Sequence, residues 1–234
     1  MKIIVTGSEG LIGKAVVEYL SEYEMYVDPT GYHCAYEVTG LDISDMDFND
    51  EMTVGHFFEM GEYDALINCF ALNNHWQPRS TGDRIMGISL DSFDAYLKTN
   101  VTALFSVCRE FKRNNPKGSI VNFSSTYGLG SPHPDMYGDG EKHIAYGVSK
   151  AAVIQLTKHL ATHWAPDMRV NCIVPGGVEN GQSAHFKFDY AEHTPMGRMA
   201  KVEEICGLVE FLISDKASYC TGGVYPVDGG WTAW

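Results

Sequence analysis

Lys2-Ile3-Ile4-Val5-Thr6-Gly7-Ser8-Glu9-Gly10-Leu11-Ile12-Gly13 begins as an apolar, β-branched run and breaks into closely spaced glycines. Lys14-Ala15-Val16-Val17-Glu18-Tyr19-Leu20 follows with helical spacing. The run reads as a buried parallel strand. Strand, glycine turn and helix in that order make an anion site. Glycines let the backbone approach a pyrophosphate, and N–H groups at the helix N-terminus receive its charge. The spacing G-x-x-G-x-x-G is a variant of the dinucleotide fingerprint. An ordinary glycine turn is the plainer alternative.

The same alternation continues along the chain. Asp64 to Ala71 reads as a buried strand ending at Asn68, Gly118 to Ser125 as another, and Met168 to Val174 as a third, before Pro175-Gly176-Gly177-Val178. Gly223 to Val227 is the last. Helical patterns cover Asn49 to Met60, Leu90 to Arg113, Tyr146 to Trp164 (stopping before Pro166) and Glu203 to Ile213. Strands alternating with helices predict an α/β chain with a doubly wound parallel sheet between two helical layers. Two segments compete for the next sheet position: Glu24 to Asp28, with a turn at Pro29-Thr30-Gly31, and Tyr36 to Asp42. We prefer Glu24 to Asp28 as the second strand and Tyr36 to Asp42 as the third. Either way Asp42 ends a strand on the edge that carries the glycine turn, where the adenosine half of a dinucleotide lies. A solvated turn residue is the alternative for Asp42.

At 234 residues with 44% hydrophobic content, the expectation is one domain, 1–234, with a full core. A net charge of −13 argues against nucleic-acid or anionic-membrane partners. No apolar run is long enough to span a bilayer, and no leader pattern precedes Ile3. The six cysteines show neither C-x-x-C nor metal-ligand spacing, so a reducing cytoplasm is expected. His159 and His163 stand one helical turn apart, but with no third ligand nearby they read as solvent-facing, and no metal is expected.

Chemistry gathers around Tyr146-Gly147-Val148-Ser149-Lys150. Residues four apart share a helix face, and an ammonium beside a phenol favours the phenolate. The expectation is a Tyr146 pKa pulled toward neutrality. Asn100 is a poor mid-helix residue whose presence among Leu97, Val101 and Leu104 asks for a reason. The serines at 124 and 125 end a strand, where open α/β sheets place their chemistry.

Taken together, the glycine turn, Asn100-Val101-Thr102, Ser124-Ser125, Tyr146-x-x-x-Lys150, Pro175-Gly176-Gly177-Val178 and Tyr225-Pro226-Val227-Asp228-Gly229-Gly230 resemble the short-chain dehydrogenase/reductase family over essentially the whole length. The resemblance implies a Rossmann fold and an NAD(P)-dependent oxidoreductase acting on a secondary alcohol or ketone. Its catalytic residues would be Asn100, Ser125, Tyr146 and Lys150. Tyr146 would exchange the proton, Ser125 hydrogen-bond the reacting oxygen, Lys150 hold the cofactor ribose and depress the Tyr146 pKa, and Asn100 anchor a water relay. Cofactor contacts would come from Gly7, Glu9, Gly10, Leu11, Ile12, Gly13, Asp42, Ile43, Asn68, Ala71, Tyr146, Lys150, Pro175, Gly176 and Val178. Family members commonly form homotetramers or homodimers through their long helices; here the Asn100 and Tyr146 helices would meet.

NAD is favoured over NADP, because Asp42 would repel a 2′-phosphate and Glu9 stands where a basic residue would welcome one. Lys14 is the counterargument. Several positions depart from the family pattern: the second glycine, Gly10, comes one place early, Asn68-Cys69-Phe70-Ala71 replaces Asn-Asn-Ala-Gly, and Asn180 stands where a threonine is usual. Substrate loops are expected at about 126–145 and 179–199, the second a candidate lid. The first resembles a subset of the family that works on bacterial surface sugars, including flagellin modification. It would bring His133, Asp135, Tyr137 and His143 to the mouth of the site, which suits a polar, polyhydroxylated substrate. An insertion that only packs on its neighbour is the alternative. Two other functions compete: a nucleotide-sugar epimerase or dehydratase that retains its NAD, and a non-catalytic dinucleotide sensor. The tail with Trp231 and Trp234 suggests either a subunit interface or packing on its own core.

Overall fold

The structure is a computed structural model that describes residues 1–22, 26–27, 33–34, 36–73, 85–137 and 141–234. The polar loop with Trp76, Pro78 and Arg79, the turn at Pro29-Thr30-Gly31, and Glu24, Met25 and Asp28 lie outside the described residues.

Six parallel strands form one sheet in the order β4-β1-β5-β6-β7-β8: β1 (Lys2–Thr6), β4 (Glu37–Leu41), β5 (Ala65–Asn68), β6 (Gly118–Phe123), β7 (Met168–Pro175) and β8 (Val224–Val227). Two-residue strands β2 (Tyr26–Val27) and β3 (His33–Cys34) pair antiparallel outside it. This corrects the preference for Glu24 to Asp28 as the second strand of the main sheet. The strand beside β1 is Glu37–Leu41, with Thr6 opposite Leu41. A parallel partner needs a crossover of about a dozen residues or more. The chain between Val27 and Glu37 is shorter than that, and β2 pairs with β3 instead.

Alternation within the strands sends side chains to two cores. Ile4, Leu66, Ile120 and Val170 face helices α2 (Glu51–Glu59), α4 (Leu104–Asn114) and α5 (Ile144–Trp164). Ile3, Val5, Ile67 and Ile173 face α1 (Leu11–Ser21) and α7 (Glu203–Ile213). Two more helices, α3 (Leu90–Leu97) and α6 (Ala184–Glu192), lie near the strand C-termini. The helix expected from Leu90 to Arg113 does run through, but Lys98–Ala103 is π-helical, with Asn100 inside it. The expected loop from Glu179 to Met199 likewise contains α6.

The chain steps from β1 outward to β4 and then crosses back to β5, so the order reverses between β1 and β5. Ligands of such sheets bind in the crevice beyond the carboxyl ends at that point. A buried polar chain ties the strands beneath it. Thr6 Oγ1 donates to Asn68 Oδ1 (3.0 Å), Asn68 Nδ2 to Asn122 Oδ1 (2.9 Å), and Asn122 Nδ2 to Thr157 Oγ1 (3.0 Å). All four side chains are buried. Replacing Asn68 with leucine leaves the Thr6 hydroxyl only its long bond to Ile67 O (3.4 Å) and the Asn122 side-chain carbonyl only the Cys108 thiol (3.6 Å). Asn68→Leu is therefore expected to lower unfolding free energy by about 1–3 kcal/mol, read from the urea midpoint; an unchanged midpoint means the chain contributes nothing.

Candidate active site

β1 ends in Thr6, and Gly7 turns the chain with φ +72°. A side chain at Gly7 would sit 2.4 Å from the Phe70 nitrogen, and one at Gly13 would sit 2.0 Å from the Gly7 carbonyl oxygen. Both glycines are required because helix α1, the turn and the end of β5 meet backbone to backbone. Gly10 is the N-cap of α1 and no side chain caps the helix, which leaves its first-turn N–H groups available to an anion. Leu11 and Ile12 form that first turn. The departures noted at Gly10 and Phe70 keep the turn intact: Phe70 stacks on Phe48, with centroids 4.6 Å apart.

Asp42 follows β4 directly. Its carboxylate accepts the Glu9 N–H (2.8 Å) and the Ile43 N–H (2.7 Å), while Glu9 accepts the Ser44 hydroxyl (3.4 Å). Two acidic side chains thus border the turn. Across the crevice, Asn68 is buried in the polar chain and Ala71 lies in the loop beyond it. Pro175 closes β7, Gly176 N–H donates to Val227 O (2.9 Å), and Val178 bridges to Ala200.

The groups expected to carry chemistry meet at the start of α5. Tyr146 and Lys150 are nearly buried, and Ser125 lies beside the Tyr146 phenol and eases its ionisation. Ser125 Oγ also accepts the Tyr127 N–H at 3.2 Å, which fixes the hydroxyl at the end of β6. Lys150 Nζ donates to Phe123 O at 2.9 Å and lies 5.8 Å from the Tyr146 ring centroid. Burial pushes the Tyr146 phenol up to about 12, with the neighbouring Ser125 acting the other way. Burial also pulls Lys150 down to about 8. The expectation of a phenol drawn toward neutrality by Lys150 is therefore corrected. The ammonium turns to a backbone carbonyl, and loss of water around the phenol outweighs it.

Asn100 explains its own place in a helix. Its Oδ1 accepts Leu72 N–H (2.7 Å), and its Nδ2 donates to Leu72 O (3.0 Å) and to Ser149 Oγ (2.9 Å). Both amide hydrogens are engaged, leaving one acceptor lone pair. The amide clamps the loop beyond β5 to α5, and the π-helical turn around it is a distortion frequent at functional sites.

Two expected mouth residues are committed elsewhere. His143 caps α5 by accepting Ala145 N–H (3.2 Å), stacks on Tyr96 and meets Ser92 Oγ at 3.0 Å. The Tyr137 hydroxyl is 2.5 Å from that of Tyr127. Asp135 is exposed, and the His133 ring lies 4.7 Å from His193 and 5.4 Å from Trp231. Trp231 packs inward, stacked on Tyr190 at 4.5 Å, whereas Trp234 is exposed. His163 Nδ1 lies 2.8 Å from His159 O. Among the described residues no group of three His, Cys, Asp or Glu is placed to hold a metal, and no helix is long and apolar enough to cross a membrane.

Two residues at the site were missed from sequence. Tyr190 on α6 accepts the Gly177 N–H at 2.5 Å and so docks the 179–199 segment on the strand end. Nothing local marks it. Lys142 did leave a signal, since Lys142-x-x-x-Tyr146-x-x-x-Lys150 repeats the same spacing. Its Nζ lies 4.3 Å over the Tyr146 ring.

Residues 14–232 match the family model described as enoyl-(acyl carrier protein) reductase. The chain is 31% identical to a 3-oxoacyl-(acyl-carrier-protein) reductase of Aquifex aeolicus, over 97% of this chain and 95% of that protein. It is also 31% identical, over 98% of its length, to an uncharacterised short-chain type dehydrogenase/reductase of Sinorhizobium fredii, of which it spans 43%. A Leptospira borgpetersenii short-chain dehydrogenase with bound NAD+ superposes with a TM-score of 0.81 at 29% identity, covering 99% of this chain and 92% of that one.

The lowered Lys150 affinity has a measurable sign. Between about pH 8 and the ordinary lysine value of 10.5 the unfolded chain binds the proton that the folded chain has lost. A penalty present at neutral pH is thus relieved as pH rises through that window. Lys150→Met is expected to be more stable than wild type at pH 7, with the gap closing from pH 8 to 10.5 in urea titrations. A gap constant with pH would show that the ammonium is not desolvated.

Proposed function

The chain belongs to the short-chain dehydrogenase/reductase family, and we propose that it is an NAD-dependent dehydrogenase or reductase of a small polar secondary alcohol or ketone, with Tyr146 as its general acid and base. The observation that carries this is the meeting of Tyr146 and Lys150, both nearly buried on α5, with Ser125 at the end of β6, at the same sheet edge as the Gly7–Gly13 turn.

The residues fit a dinucleotide. The open α1 N-terminus with Gly7, Glu9, Gly10, Leu11, Ile12 and Gly13 would take its pyrophosphate, and Asp42 and Ile43 its adenosine ribose. Asn68, Ala71, Pro175, Gly176 and Val178 would border the nicotinamide half. When bound, the nicotinamide exchanges a hydride with the carbon that bears the oxygen. Tyr146 Oη exchanges the proton with that oxygen, and the Ser125 hydroxyl donates to it as charge develops. A phenol at about 12 holds its proton at neutral pH, so it is poised to donate during reduction. Lys150, 5.8 Å from the Tyr146 ring centroid, keeps a positive charge near the phenol. Asn100 acts by holding Leu72 and Ser149, which line up the loop and the helix; its remaining lone pair can take the expected water.

Asp42 and Glu9 support NAD over NADP, since both would face a 2′-phosphate with like charge. The amide of Asn73 and the ammonium of Lys142, next to the Tyr146 ring, support a polar substrate such as a sugar. Free thiols at Cys69, Cys108, Cys172, Cys206 and Cys220 suit a cytoplasmic setting. Phe105, Ile144 and Val148 are exposed apolar residues on α4 and α5, where a homodimer or homotetramer would form.

Tyr146→Phe is expected to lower turnover by about a hundred-fold or more while NADH still binds. Wild-type turnover in that variant removes Tyr146 from the chemistry. Titration with NADH and NADPH, followed by nicotinamide fluorescence, is expected to show tighter NADH binding. Preference for NADPH would place Asp42 away from the ribose.

A further inference from the structure

Two histidines take no part in the reaction described above, yet they stand together on the helix that carries it. His159 and His163 lie one turn apart near the C-terminal end of α5, and both are exposed. Their ring centroids are 6.1 Å apart, with planes inclined by 36°. This i, i+4 spacing puts two imidazoles on one helix face, the arrangement by which helices chelate zinc. The His163 ring is also held in one tautomer. Its Nδ1 lies 2.8 Å from the backbone oxygen of His159, which can only accept, so Nδ1 carries the proton and Nε2 keeps its lone pair. Metal-ligating histidines almost always donate their other ring N–H in this way, to a carbonyl, a carboxylate or water. Among the described residues no hydrogen bond or ion pair engages the His159 ring. Charge favours a cation here as well. The end carbonyls of a helix carry partial negative charge, and the whole chain has a net charge of −13.

We propose that His159 and His163 form an exchangeable site for a divalent transition-metal ion such as Ni2+ or Zn2+, with water completing the coordination shell. Imidazole suits these ions, whereas Mg2+ and Ca2+ take oxygen ligands. The spacing alone left the pair facing solvent for want of a third protein ligand. A solvated site needs none. Two protein ligands are fewer than the four of a structural zinc site, so the ion exchanges with solvent and the fold does not depend on it. Bound there, it links successive turns of the helix that carries Tyr146 and Lys150. It stabilises the native chain, because the unfolded chain does not hold the two rings together. The inference goes beyond the proposed reaction and does not depend on it.

The test is thermal unfolding of the untagged protein, followed by circular dichroism, with Ni2+ added in steps and Mg2+ at the same concentrations as the control. Ni2+ is expected to raise the unfolding midpoint until the site is full, and Mg2+ to leave it unchanged. His159→Gln and His163→Gln are each expected to remove the rise and to weaken Ni2+ binding, read by calorimetry, about ten-fold or more. Their metal-free midpoints are expected to match that of wild type, because both rings are exposed. A wild-type midpoint indifferent to Ni2+, or a rise that survives either substitution, overturns the proposal. An equal rise with Mg2+ overturns it too, since attraction to the acidic surface then accounts for the effect without imidazole ligands.

Discussion

The buried chain Thr6–Asn68–Asn122–Thr157 crosses β1, β5 and β6 and ends on α5. A parallel sheet supplies backbone hydrogen bonds but no reason for a covering helix to sit at one height along it. The asparagines provide that reason, since each amide is buried and must find its partners in one register. Thr157 lies two turns beyond Lys150 on the same helix, so fixing one fixes the level of the other. Ser124 Oγ, donating to Lys150 O at 2.7 Å, makes the second tie. Tyr146 then stands beside Ser125 because α5 has been placed against β6 by polar contacts that hydrophobic packing alone does not specify.

That placement explains how one fold edge performs two electrostatic tasks. At the glycine turn an open helix N-terminus favours anions, with Asp42 and Glu9 limiting how much negative charge can be added. At Tyr146 two ammonium groups sit around one phenol in a dry pocket, and each pays in proton affinity for its burial. Tyr96, Leu72, Phe93 and Tyr127 pack around Tyr146 and keep water from that second region.

Much of this was legible from sequence because it is local. Apolar runs gave the six parallel strands' positions, and Gly7–Gly13 marked the reversal point. Asn100 announced itself as a misfit in a helix, although only coordinates show the π-helical turn that accommodates it. Strand order beside β1 was misjudged because Tyr26-Val27 and Glu37–Leu41 have similar composition; what separates them is the chain length a crossover requires, not propensity. The docking of Tyr190 on Gly177 joins segments whose sequences carry no mutual signal. The direction of the Tyr146 shift was missed for a related reason. Spacing reports a charged neighbour, but not how completely the surrounding elements exclude water.

The π-helical turn also changes the phase of the helix that contains it. Each residue of an α-helix advances about 100° around the axis, and the wider turn at Lys98–Ala103 resets that count midway. Before it, α3 turns Tyr96 toward His143 on the approach to α5; after it, α4 turns Phe111 toward Phe58 on α2. One continuous rod therefore presents its apolar stripe to two partners in different directions. The substrate side and the structural core can then vary their packing separately, with Asn100 as the fixed point between them.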